Sequence, residues 1–133
     1  ESTAGNASSI GVQDVPKGFE RVCTLKELET SDRKRKKCLL NGIMSIAVFL
    51  IEGKTWAIDA TCPHQGGKLE LGDIEDGGGR PNVLCPRHGW CFRLKDGYCE
   101  DISNYGVSAY ETVVLSDGSV CVSQHAVYQP PIE

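Results

Sequence analysis

The segment Ala60–Phe92 reads ATCPHQGGKLELGDIEDGGGRPNVLCPRHGWCF and holds two of the chain's three histidines. His64 lies two residues after Cys62, and His88 lies three after Cys85. The stretch therefore carries two short arms, C-P-H and C-P-R-H, with residues 65–84 between them. Thiolate and imidazole are both ligands for iron, zinc and copper. Gly66 and Gly67 follow the first arm across Gln65, and Gly89 comes directly after the second, where a missing Cβ lets backbone approach a bulky inorganic group. Pro63 and Pro86 stiffen each loop. Two arms, each giving one thiolate and one imidazole, would clamp a metal group from both sides.

Outward from the arms, the pattern is that of short antiparallel strands. Upstream, KCLLNGIMSIAVFLIEGKTWAID places Asn41-Gly42 and Glu52-Gly53-Lys54 between apolar runs, both of them hairpin signals. Downstream, RLKDGYCE turns at Asp96-Gly97, and YETVVLSDGSVCVS pairs two strands across Asp117-Gly118. Near the start, Phe19–Cys23 reads as a strand, followed by Thr24 and Glu27 in capping-box spacing before one short helical turn. The run RKRKK, Arg33–Lys37, reads as a solvated turn between strands, with a nucleic-acid or localisation patch and a docking site for an acidic redox partner as alternatives. QHAVYQPPIE reads as a surface tail, since Pro130-Pro131 ends any strand. The expectation is an all-β domain over residues 17–124 with a metal-binding insertion at about 60–95, an N-terminal tail at 1–16 and a C-terminal tail at 125–133.

The chain has 133 residues and a formal net charge of -4, which argues against general affinity for nucleic acid. The apolar run from Ile43 to Ile51, interrupted by Ser45, falls far short of the roughly 20 residues a membrane-spanning helix needs. ESTAGNASSIG, with neither an initiator methionine nor an apolar segment, reads as a trimmed, disordered tail, with a removed targeting sequence left open. Of seven cysteines, Cys23, Cys38, Cys91, Cys99 and Cys121 lie outside the arms and read as reduced structural residues of an intracellular protein.

The two arms resemble the Rieske motif, C-x-H followed at a distance by C-x-x-H, which binds a 2Fe-2S cluster. CPRHGWCF is close to the second loop of oxygenase ferredoxins, and GGKLELGDIEDGGG is similar to small soluble Rieske domain-containing proteins. The resemblance implies an antiparallel β-sandwich with an inserted cluster-binding subdomain. It implies one cluster per chain, with Cys62 and Cys85 on one iron and His64 and His88 on the other. A zinc site is the competing reading, but zinc fingers pair like ligands, whereas each arm here mixes them. His125 reads as an ordinary surface histidine.

High-potential Rieske proteins carry an inter-loop disulfide and two hydroxyl donors to the cluster. At the matching positions this chain has Gly67 and Arg87, then Trp90 and Phe92. The resemblance therefore implies a potential at the low end of the range, about -150 mV. It places the docking face at His64 and His88, with Gln65, Arg87 and Gly89 around them, and it puts Trp90 and Phe92 under the loop.

No residues remain for a mononuclear iron domain, and neither a membrane anchor nor a nucleotide-binding glycine fingerprint is visible. The expectation is a soluble, monomeric, intracellular electron carrier, cytoplasmic unless imported, and not itself an enzyme. A flavin reductase would be its donor and an oxygenase or other protein its acceptor, with neither nucleic acid nor a membrane span involved. The alternatives are the small subunit of an NAD(P)H nitrite reductase, many of which lack the ligands retained here, and a redox or iron-sulfur sensor. The spacer through EDGGGRPN is longer than in many oxygenase ferredoxins and is expected to form a hairpin beside the ligands.

Overall fold

The computed structural model describes residues 14–62, 66–76, 80–87, 89–101 and 106–128. The elements are β1 (Phe19–Thr24), α1 (Leu25–Thr30), β2 (Arg35–Leu40), β3 (Met44–Ile51), β4 (Lys54–Asp59), β5 (Asp73–Asp76), β6 (Pro81–Leu84), β7 (Cys91–Arg93), β8 (Ala109–Val114) and β9 (Ser119–Tyr128). A six-stranded antiparallel sheet has the order β1-β9-β8-β4-β3-β2, and a second sheet of three strands, β5-β6-β7, is inserted between β4 and β8. The fold is the expected all-β one, built of antiparallel sheets with a smaller sheet inserted.

Local chemistry sets the turns. Asn41 and Gly42 have φ of 57° and 74°, and Glu52 and Gly53 have 50° and 81°. Positive φ at both central residues is what a type I′ turn requires, and its twist matches that of the strands it joins. Thr24 accepts a hydrogen bond from the Glu27 amide at 3.1 Å, and Glu27 returns one from the Thr24 amide at 2.8 Å. This capping box starts α1 at Leu25.

The apolar run Ile46–Ile51 within β3 has a simple cause: the strand is buried on both faces. Ile46, Val48 and Leu50 point into one core with Cys23, Leu28, Cys38, Leu40, Val120 and Val122. Ala47 and Phe49 point the other way, into a second core with Ile58, Val83, Phe92 and Leu94. Alternation along one strand thus serves two cores. The second core seats the small sheet on the large one.

Two elements differ from the sequence reading. β9 continues to Tyr128, through part of the segment read as a tail, and pairs it with Ala109. Within RKRKK, only Arg33 and Lys34 belong to the turn, while Arg35–Lys37 open β2.

Candidate metal centre

Both arms leave the ends of strands. The first follows β4 and the second follows β6, and each folds on the same backbone frame. The Cys62 amide donates to the Gly67 carbonyl at 2.8 Å, and the Gly66 amide donates back to the Cys62 carbonyl at 2.9 Å. In the second arm, the Cys85 amide donates to the Trp90 carbonyl at 2.8 Å, and the Gly89 amide donates to the Cys85 carbonyl at 2.7 Å. Each cysteine therefore opens a tight loop closed four and five residues later. Gly66 and Gly89 occupy equivalent places with φ of 70° and 72°, a region that favours glycine.

The two thiol-bearing residues are each 1% exposed and belong to the core that joins the two sheets. The loops also meet. A Cβ built on Gly67 would lie 2.5 Å from Cys85 Sγ and 3.5 Å from the Arg87 side chain. Gly66, Gly67, Lys68, Leu71, Pro86 and Arg87 line a shallow depression of about 230 Å³ between the loops. His64 and His88 fall outside the described residues, as do Pro63 and Gln65.

Beneath the loops, Phe92 is fully buried and pairs with Val83, and Trp90 is half-buried against the same core. Asp101 accepts a hydrogen bond from the Cys91 amide at 2.7 Å, fixing the strand that leaves the second loop. Burial, with Glu75, Asp101, Glu100 and Cys99 nearby, pushes the Cys91 thiol up to about 11. It therefore stays protonated at neutral pH and offers little thiolate to a metal.

The basic run has a function that reading it as a solvated turn misses. Arg33 donates to the carbonyls of Leu71 and Gly72 at 3.2 and 3.0 Å and pairs with Asp73 at 2.7 Å. Arg35 donates to the carbonyls of Glu70 and Gly72, while its guanidinium lies 5.1 Å over the Phe49 ring. Residues 70–72 link the first loop to β5, which opens at Asp73. Two arginines thus tie this linker to the edge of the large sheet, and Lys34, Lys36 and Lys37 are left exposed.

A 2Fe-2S group fits these residues. Two shielded thiols are presented on matching loops, and glycine stands where a side chain would collide with one of them. Among the described residues, no helix is long and apolar enough to cross a membrane.

The chain is 34% identical over 79 residues to a Rieske domain-containing protein of Homo sapiens, an alignment covering 59% of this chain and 50% of that one. It is 41% identical over 89 residues to a cholesterol 7-desaturase of Hemicentrotus pulcherrimus, covering 65% of this chain and 18% of that one. It thus spans half the length of the first relative and under a fifth of the second. Among solved structures, it superposes with a TM-score of 0.73 and 28% identity on a Mycobacterium tuberculosis chain described as the small subunit of an NADH-dependent nitrite reductase. That superposition covers 82% of this chain and 96% of the other. Residues 18–123 match the Rieske-like 2Fe-2S domain model, and the chain belongs to that family.

Proposed function

We propose that the domain, residues 17–124, is a one-electron carrier that holds one 2Fe-2S cluster on Cys62, His64, Cys85 and His88. The matched backbone frames of the two cysteine loops carry this reading, because they bring both thiol-bearing residues to one place with a glycine between them. When bound, a Rieske-type cluster supplies reversible one-electron chemistry at a potential above that of four-cysteine ferredoxins.

The chain's own residues set the conditions for that chemistry. Cys62 and Cys85 sit in the core, which shields their sulfurs from water. Phe92 and Trp90 form an apolar floor without a hydroxyl donor. Fewer hydrogen bonds to the cluster sulfurs stabilise the added electron less, so the potential belongs at the low end, about -150 mV. Arg87, beside the depression between the loops, gives the docking face a cation to set against an acidic partner. The partners are a flavin reductase as donor and an oxygenase or similar protein as acceptor, and the carrier works as a soluble intracellular monomer.

A second reading, the small subunit of a nitrite reductase, is favoured by the likeness to the Mycobacterium tuberculosis chain, nearly all of which is covered. Anaerobic reduction of the purified, iron-loaded protein separates the readings from a structural metal site. The carrier reading expects stoichiometric reoxidation, one electron per chain, by an added one-electron acceptor. A colourless protein containing zinc after iron-replete expression would overturn both readings.

A further inference from the structure

β1 and β2 are the two edges of the six-stranded sheet, and the sheet curls until they lie beside one another with α1 packed against both. The described pairings include no ladder between them. Each of the two edge strands instead turns a cysteine into the core beneath the seam. Cys23 on β1 and Cys38 on β2 share one core with Leu28, Leu40 and Val120, and they are only 5% and 7% exposed. The register of β1 slips between Arg21 and Cys23, a bulge that changes how β1 presents its side chains at this point. Proximity to Cys23 holds the Cys38 thiol below its ordinary value, while Cys38 and burial raise that of Cys23. Lys36 favours the thiolate at either position, and Glu27 opposes it.

We propose that Cys23 and Cys38 are the site of a reversible intramolecular disulfide that closes the seam between β1 and β2, formed by exchange with a low-molecular-weight disulfide. Cys38, as thiolate, attacks one sulfur of the small disulfide; a mixed disulfide forms and one small thiolate leaves, taking up the proton that Cys38 released. The Cys23 sulfur then attacks Cys38 in the mixed disulfide, the protein S–S bond forms, and the second small thiol departs with the Cys23 proton. One small disulfide is reduced to two thiols while two protein thiols are oxidised to one bond.

The other cysteines do not offer this chemistry. Phe92 pairs with Cys99, so Cys91, one residue before Phe92, points to the opposite face of the strand from Cys99. Cys121 is fully buried on β9. The loop closed by Cys23 and Cys38 holds α1, Arg33 and Arg35, so the bond would fasten the turn and strand whose arginines hold the linker beside the first loop.

The test is peptide mapping of the full, iron-loaded chain after incubation with oxidised glutathione, followed by alkylation and tryptic digestion without reduction. The expected product is Val22–Lys26 joined to Cys38–Lys54, lighter than the two peptides together by two hydrogens and separated again by dithiothreitol. The oxidised protein should also melt several degrees higher than the reduced one, a shift lost in Cys38→Ser. Recovery of both peptides alkylated or merely glutathionylated would overturn the proposal, as would either cysteine joined to a different one. Because the mapping is done on the unsubstituted chain, a poorly folding variant cannot obscure it.

Discussion

Gly67 of the first loop backs directly onto Cys85 of the second, so that a Cβ at position 67 would come within 2.5 Å of the Cys85 sulfur. The two arms are therefore not independent. The residue that closes the first loop, by accepting the Cys62 amide, is also the residue that makes room for the other thiol. The φ of Gly67 is not in the left-handed region, so the requirement for glycine comes from space rather than from backbone conformation.

Gly67→Ala should consequently displace the Cys85 thiol without unfolding the sheets. Iron and labile sulfide per chain should fall by more than half, while far-ultraviolet circular dichroism stays unchanged. Full iron content in this variant would show that the contact between the loops does not govern loading.

Arg35 offers a second handle, remote in sequence from the loops. Arg35→Ala removes the donors to the Glu70 and Gly72 carbonyls and the cation over Phe49. Hydrogen bonds from charged donors contribute roughly 1.5–3 kcal/mol, and partial exposure places this loss toward the lower end. Urea unfolding should show that decrease, and the cluster should be lost faster under chelation. Arg35→Lys should restore only part of it, because an ammonium cannot present a planar fork to two carbonyls.

Gly72 tests the same linker from the other side. A Cβ there would come within 2.0 Å of the Leu84 carbonyl oxygen, which belongs to backbone and cannot swing aside. Gly72→Ala should force the linker away from β6 and destabilise the protein by at least as much as Arg35→Ala, read as a lower urea midpoint.

The capping box gives a control far from the loops. Thr24→Ala should cost about 1 kcal/mol by removing one of the two reciprocal bonds that start α1. Iron content should not change, which would separate general stability from loading.

The contrast between these sites shows what a sequence can reveal. Asn41-Gly42, Glu52-Gly53 and the Thr24/Glu27 pair are legible because their physics is contained within four residues. The arms are legible because ligand chemistry confines cysteine and histidine to few spacings. Arg33 and Arg35 are not, because their partners lie some 35–40 positions away and a run of like charge looks the same whether solvated or engaged. The run did carry a signal, since two arginines among lysines are the residues suited to bridging several carbonyls. The extension of β9 to Tyr128 was hidden because prolines signal an end without fixing its position. That Cys23 and Cys38 share one core follows only from the curl of a sheet whose edges are otherwise read as separate.

The most direct test of the central claim is the midpoint potential of the iron-loaded protein, followed by EPR from pH 6 to pH 10. Mixed cysteine and histidine ligation predicts a potential near about -150 mV at neutral pH, falling as the ligand histidines of the oxidised form deprotonate. A pH-independent potential near about -400 mV would indicate four-cysteine ligation and contradict the assignment of His64 and His88.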